Sequence, residues 1–371
     1  MIILQILIIV ALFTLVVGAH EFGHYLFARW RGMDVEEFCF LGLPFGRKIV
    51  LGQTKSGTKV VIHPFCPLGG FVRIKGSEPA ADGSETRIPN GFYSRGLGSR
   101  ALVLFAGPLF SFLFGWLLFF GDAAAFGWQN SPYIGTVEVG SPAEEAGIEP
   151  GDMILKVDGT EVNSFTDVAA PIQAAEGKPV TVEYVRDRNL VTVNIAAEFK
   201  APTLTEEIKN NPVYKESKEL QAEYKKKKWF VGIGSEDAHP VGILGAASVA
   251  SQQTWRVIAE TGKILGSPGR LAKEAGGVIS IGKLAGQAVD HGLSYFLALS
   301  ALISVSLGII NLLPIPLMDG GQLMVVFLEW LRGGRRLSMK TQEALGFVGI
   351  LIIAALFFTV TYLDIGRLVR G

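Results

Sequence analysis

Four stretches of this chain carry no charged residue: Ile2 to Ala19, Ala101 to Gly121, Leu293 to Leu313 and Leu345 to Leu363. At about 1.5 Å per residue, a helix of each length crosses a hydrocarbon core of ~30 Å. Inside such a core every backbone N–H and C=O must find its partner within the protein, which confines each stretch to a helix. A polytopic α-helical membrane protein with four spans is therefore expected. Composition agrees, with 49% hydrophobic and 18% charged residues and a mean hydropathy of +0.37. Lys plus Arg and Asp plus Glu balance at 34 each, so no charge excess points to nucleic acid. Two cysteines, Cys39 and Cys66, exclude a disulfide-stapled scaffold. No Lys or Arg precedes Arg29, so the first window lacks the basic region of a cleaved signal.

The segment from Arg29 to Arg100 holds 11 Lys and Arg against 6 Asp and Glu, and the short third connection adds Arg332, Arg335, Arg336 and Lys340. Both connections lie on one side of a four-span chain, and the excess of positive charge marks that side as cytoplasmic. The segment from Trp128 to Gly292 is then expected outside. Arg367 and Arg370 weigh weakly the other way. Both cysteines fall on the cytoplasmic side, so no disulfide is expected.

The first apolar run does not end at Ala19. It continues as HEFGHYLFA, which places a carboxylate and two imidazoles among uncharged neighbours, where ionisable groups are costly and usually functional. His20 and His24 are four residues apart, so a helix presents both on one face to a single Zn²⁺, and Glu21 beside them can reach a metal-bound water. Two histidines merely packed between helices would leave Glu21 without a purpose. A hydrolytic zinc needs a third protein ligand. His63 and Cys66 are possible donors in a Gly- and Pro-rich cytoplasmic loop, while His239 and His291 fall on the opposite side. Asp319 directly follows the third span in Asn311-Leu312-Leu313-Pro314-Ile315-Pro316-Leu317-Met318-Asp319-Gly320-Gly321, at the same membrane level as HEFGH. Two prolines stop the helix there and paired glycines allow a sharp turn that can aim a carboxylate back into the bundle. A simple interfacial turn is the alternative.

HExxH in the first span with NxxPxPxxDGG after a late one resembles the site-2 protease family of intramembrane zinc metalloproteases, in particular its bacterial RseP-type members with one PDZ domain. The similarity runs over nearly the whole chain. Pro67-Leu68-Gly69-Gly70-Phe71-Val72-Arg73 resembles the family's loop-edge strand, Ala106-Gly107-Pro108 its second-span signature, and Ser141-Pro142-Ala143 with Ala146-Gly147 and Pro150-Gly151-Asp152 its PDZ domain. The resemblance implies His20, His24 and Asp319 as zinc ligands, Glu21 as general base and Asn311 as a polar contact for substrate or the reacting carbonyl. Ser111, where many members carry Asn, Gln322 after DGG, and Gly276-Gly277-Val278-Ile279 depart from the pattern. None of the three is expected to touch a proposed ligand.

Tyr133 to Ile195 reads as a small α/β module with strand-like IGTVEV, DMILKVDG, VTVEYV and VTVNI and a helical stretch near Phe165 to Ala175. Ile134 and Gly135 are expected on a PDZ groove that takes an extended peptide as an added strand. A closed spacer domain is the alternative. In the first loop, residues 39–76, Lys48 to Leu51 and Thr58 to Ile62 flank a turn at Thr54 to Gly57 and predict a hairpin. Gly69, Gly70 and Phe71 open a further strand whose edge could hold an unwound substrate, against the alternative of a self-contained hairpin. Lys225 to Lys228 reads as part of a solvated linker. The expected organisation is a first membrane half over residues 1–128, a PDZ domain over 129–200, a linker and amphipathic interfacial region over 201–292, and a second membrane half over 293–371.

Three functions fit in descending order: an intramembrane zinc protease, a membrane-anchored zincin acting on water-exposed substrates, and a PDZ scaffold. HEFGH inside the apolar run favours the first, and Glu21 argues against the third. The expected partners are the lipid bilayer and single-span membrane proteins, with anti-sigma factors or remnant signal peptides suggested by the resemblance. The expected location is the bacterial inner membrane, active site towards the cytoplasm and PDZ domain outside.

Overall fold

The structure, a computed structural model describing residues 2–44, 46–64, 69–78, 80, 82–200, 227–236, 238–267, 269–270 and 276–370, begins with α1 (Ile2–Trp30). This helix outruns its charge-free window because His20, Glu21 and His24 continue it. A Schellman turn stops it: Gly32 adopts φ 72°, its N–H donates to the Arg29 carbonyl, and the Met33 N–H donates to that of Ala28. The buried Met33 side chain packs in the same core cluster as Ala28, which seals the turn.

Four strands follow: β1 (Val35–Leu41), β2 (Ile49–Gln53), β3 (Lys59–Ile62) and β4 (Phe71–Ile74), in the sheet order β2-β3-β1-β4. The β2–β3 hairpin is as the sequence predicts. β1 is not predicted; it inserts between the hairpin and β4, parallel to β3 and antiparallel to β4. Cys66, Pro67 and Leu68 lie outside the described residues. α2 (Leu97–Phe126) crosses α1 in backbone contact: a Cβ on Gly23 would stand 2.4 Å from the Ala106 carbonyl oxygen.

Residues Ala123–Ile243 form a separate compact unit. Its elements are β5 (Trp128–Gln129), β6 (Ile134–Val137), α3 (Pro142–Glu145), β7 (Met153–Val157), β8 (Thr160–Glu161), α4 (Ala169–Ala174), β9 (Pro179–Arg186), β10 (Asn189–Ala196), β11 (Glu198–Lys200), β12 (Lys228–Phe230), β13 (Ile233–Ser235) and β14 (Ala238–His239). β10-β9-β7-β8 is its main sheet, and Asp187 and Arg188, both at positive φ, turn β9 into β10. Ile134, Ile154, Val157, Ile172, Val180 and Val182 centre a core that also takes in Val231. The unit therefore runs further than the expected 129–200, because β13 pairs with β6 and β14 with β5. Of the expected linker, residues 201–226 lie outside the described residues.

The other unit resumes with α5 (Ile243–Leu265), α6 (Val278–Leu312), α7 (Asp319–Leu331) and α8 (Met339–Arg370). α6 starts well before the charge-free window and breaks its helical backbone at Gly292, φ 79°. α7 lies in what the sequence presents as a plain connection. Four helices, over residues 7–30, 97–126, 292–312 and 340–366, are long and apolar enough to span a bilayer, as expected of a multi-pass membrane protein. α1 meets α6 through Leu12 and Leu299, and α2 meets α6 at Gly115, whose added Cβ would stand 2.5 Å from Val305 Cγ2. A buried ion pair, Arg100 Nη2 to Glu329 Oε2 at 2.5 Å, ties the start of α2 to α7. Asp364 accepts hydrogen bonds from the Ser280 N–H and hydroxyl and so joins α8 to the first turn of α6.

Candidate metal centre

α1 carries His20 and His24 one turn apart, and the turn between α6 and α7 brings Asp319 to them. Leu313 leaves the helix in an extended conformation, Leu317 takes φ 79°, and α7 begins at Asp319 itself. The paired glycines are required for this path. A Cβ on Gly320 would stand 2.2 Å from the Leu312 carbonyl oxygen, and one on Gly321 equally close to that of Ile315.

Asp319 Oδ2 lies 3.1 Å from His20 Nε2 and 3.3 Å from His24 Nε2, and the two imidazole nitrogens are 3.3 Å apart. Donors about 2.0–2.2 Å from a tetrahedral zinc stand roughly 3.3–3.5 Å from one another, so this triangle fits the ion. Two imidazoles and a carboxylate are also the donor set that leaves one zinc position open for catalysis. Space is kept by Gly107, where a Cβ would stand 2.2 Å from His24 Nε2 and 2.8 Å from His20 Nε2. The second-span signature is thus explained: only glycine lets α2 pass the two rings.

Each ring is held from behind. His24 Nδ1 lies 2.8 Å from the Val103 carbonyl. Pro108 has no N–H to offer the neighbouring Leu104 carbonyl, which loosens this turn of α2. His20 Nδ1 lies 2.9 Å from Ser111 Oγ. This corrects the expectation that the departures from the family pattern touch no proposed ligand. The signal was present in the sequence, since Gly107, Ser111 and Gly115 recur every fourth residue and mark the face of α2 that neighbouring helices approach.

Glu21 sits beside the cluster and under β4. A Cβ on Gly70 would lie 3.3 Å from Glu21 Cγ. Gly69 precedes at φ 115°, and the Phe71 ring centroid stands 5.6 Å from that of His63. Asn311 Nδ2 is 3.4 Å from His20 Nε2. The structure therefore gathers Glu21, His20, His24, Asp319, Asn311 and Gly70 around one point. His63 is buried outside the three-residue cluster, and Cys66 lies outside the described residues.

Ile134 and Gly135 are a correction. The Ile134 N–H and C=O are already taken by the Asp152 carbonyl and the Gly151 N–H, and β13 pairs with β6 from Ile134 to Val137. Ile134 is 1% exposed, and a Cβ on Gly135 would stand 2.6 Å from the Ser235 carbonyl oxygen. No peptide can add as a strand at Ile134 or along the side that β13 occupies. Residues about a hundred positions downstream fill the edge, which local sequence could not reveal.

The model of Peptidase family M50 matches residues 8–356. A protein of Mesorhizobium japonicum named as a zinc metalloprotease is 32% identical over 357 residues, covering 92% of each chain. Similarly named proteins of Rickettsia conorii, 32% identical with 96% of each chain covered, and of Rhizobium meliloti, 30% identical with 96% of this chain and 95% of its own covered, match as fully. A family match of this extent, on a chain whose helices converge on a zinc-fitting triad, makes this multi-pass membrane protein a zinc metalloprotease of peptidase family M50, the site-2 proteases.

Proposed function

We propose that the protein hydrolyses peptide bonds within or beside the transmembrane segment of single-span membrane proteins. The observation that carries this reading is the position of the triad and Glu21: His20, Glu21 and His24 lie on a helix long and apolar enough to span a bilayer, and Asp319 reaches them from the turn just beyond another. His20, His24 and Asp319 hold the zinc. When bound, that ion supplies a Lewis acid that lowers the pKa of water towards ~7 and polarises a carbonyl.

Glu21 accepts the proton of the attacking water and returns it to the leaving amine. Asn311 Nδ2, beside His20, donates to the carbonyl oxygen as it gains charge. Helical backbone hides its carbonyls in hydrogen bonds, so a substrate must be drawn out before it is cut. β4 offers the means. It is the edge of its sheet, with β1 its only strand partner among the described residues, and it starts at Phe71, directly after Gly70 beside Glu21. An unwound segment adding to that edge gains backbone hydrogen bonds in place of its helical ones.

The basic connections orient the site towards the cytoplasm of the bacterial inner membrane and residues 123–243 to the outside, where that unit acts as a PDZ-like filter on bulky ectodomains. Anti-sigma factors and remnant signal peptides are the substrate classes in view. The deciding experiment presents a purified single-span reporter and its soluble ectodomain to the wild-type protein and to Glu21→Gln. Cleavage inside the apolar segment by wild type alone supports the reading; cleavage only of the soluble form would replace it with a membrane-anchored zincin.

A further inference from the structure

Both histidines turn one ring nitrogen away from the cluster, and the chain treats the two differently. The partner of His24 Nδ1, the Val103 carbonyl, can only accept. That bond demands a hydrogen on Nδ1 and leaves the Nε2 lone pair facing Asp319. The partner of His20 Nδ1, Ser111 Oγ, is a hydroxyl that can donate as well as accept.

Ser111 has no solvent exposure. The Ser304 hydroxyl donates to the Ser111 backbone carbonyl at 2.8 Å, and a Cβ on Gly308 would stand 3.2 Å from Ser111 Cβ, so α6 presses on this turn of α2. Ser304 thereby anchors the backbone of residue 111 and leaves its side chain to His20. Ser111 is the one side chain among the described residues that reaches the outward nitrogen of either histidine.

We propose that Ser111 is a positioning residue of the metal centre: its hydroxyl accepts from His20 Nδ1–H and holds the ring in the tautomer and orientation that direct Nε2 at the ion. The inference rests on the reading of His20 as a zinc ligand. Outer partners of this kind fix the tautomer of ligating histidines and raise their basicity, and their loss typically weakens metal binding about 10- to 100-fold. Without the Ser111 hydroxyl, His20 would be free to rotate or to carry its hydrogen on Nε2, where it cannot ligate.

The test uses the full-length protein in detergent and reads zinc affinity by competition with a chelator, together with the melting temperature of the zinc-free form. Ser111→Ala should weaken zinc binding about 10- to 100-fold, with zinc-free melting close to that of Ser304→Ala. Ser111→Thr, which keeps the hydroxyl, should return affinity to within a few-fold of wild type. Ser304→Ala removes a buried hydrogen bond from the same helix pair without touching His20, and should leave zinc affinity nearly unchanged. Wild-type affinity in Ser111→Ala, while His20→Ala loses the metal, would overturn the role of Ser111 and leave the ligand reading standing. Equal losses in Ser111→Ala and Ser304→Ala would assign the effect to packing and also overturn it. Wild-type affinity in His20→Ala would sink the ligand reading itself, and this inference with it.

Discussion

The chain builds two four-stranded sheets, and they are opposite in kind. The sheet β10-β9-β7-β8 covers a core of its own, with Val180, Val182, Tyr184 and Ile195 turned onto Ile154, Ile172 and Ile134. The sheet β2-β3-β1-β4 shares its core with the helices: Val35 and Ile74 pack with Ala28 of α1, Val103 of α2 and Val326 of α7. β2 has all five residues exposed. Both sheets carry a charged clamp. Asp152 of the first grips Arg186 at 2.7 Å, and Glu37 of the second sits between Lys48 at 2.5 Å and Arg73 at 3.3 Å. The Lys48 hydrogen bond holds the Glu37 carboxyl below the usual carboxylate range against the opposing effect of burial. The difference lies in what the edges do. A sheet that owns its core can be removed as a piece, whereas a sheet built on the helices is part of whatever they do, and its β4 edge runs beside Glu21.

The comparison breaks first at Glu21. If the chemistry belongs to the helices and the sheet resting on them, Glu21→Gln should reduce cleavage of a single-span substrate by about 10²- to 10⁴-fold, because the amide keeps the shape but cannot take a proton. Zinc content, read by elemental analysis, should stay at about one per chain. Activity within a few-fold of wild type would remove Glu21 from the mechanism. Next in size is the metal. Asp319→Ala should lose most of the zinc and His63→Ala should lose none, because the donor triangle includes the first residue and not the second. The reverse result would move the third ligand to His63, at the end of β3 in the sheet that rests on the helices.

How much of this was legible follows from distance along the chain. HEFGH declared itself within five residues, and Asp319 followed because span counting put its turn level with α1. β1 was hidden, since its parallel partner β3 lies some twenty residues on and no hairpin turn joins them. α6 outruns its charge-free window because Lys283 and Asp290 interrupt the apolar run without ending the helix, which starts at Val278 and first departs from helical backbone at Gly292. The contact of Ser111 with His20 spans 91 positions, and the closure of β6 by β13 about as many. Motifs whose chemistry is local were readable. Strand edges closed from elsewhere in the chain were not, and of the ring partners only the face of α2 was marked, by the spacing of Gly107, Ser111 and Gly115.

A smaller effect sharpens the contrast at Gly70. An added methyl would meet the Cys39 carbonyl oxygen at 2.8 Å and Glu21 Cγ at 3.3 Å, so Gly70→Ala should push β4 away from Glu21. Overpacking of this kind costs about 1–3 kcal/mol. The expected outcome is a loss of about tenfold or more in kcat/KM for a membrane substrate, with zinc content unchanged. A substrate whose apolar segment is already loosened by Gly or Pro should suffer less, because it needs less help from the strand edge to become extended. Equal losses for both substrates would assign Gly70 to packing alone.

The smallest expected effect is the one that tests the other sheet. β5 and β14 pair antiparallel, with Gln129 opposite Ala238, so the chain enters and leaves its second unit at adjacent points. Replacing residues 130–237 by Asn-Gly would close that pair as a two-residue hairpin, the turn such a pair prefers. All donors of the triad, Glu21, Asn311 and β4 remain. Zinc content and cleavage of a single-span substrate already trimmed to its membrane segment should therefore stay within about threefold of wild type, since no group in hydrogen-bonding reach of the reacting bond has been taken away. Substrates with intact ectodomains should be cut faster than by the full chain if the removed unit excludes bulk. Because the Ile134 main chain is already paired and β13 packs on Gly135, substitutions at Ile134 or Gly135 should act by destabilising that unit. They should lower its own melting transition and leave peptide selection untouched while it remains folded. A shortened protein that folds, holds zinc and cannot cut the trimmed substrate would show that the self-contained sheet takes part in the chemistry, and the division between the two sheets would fall.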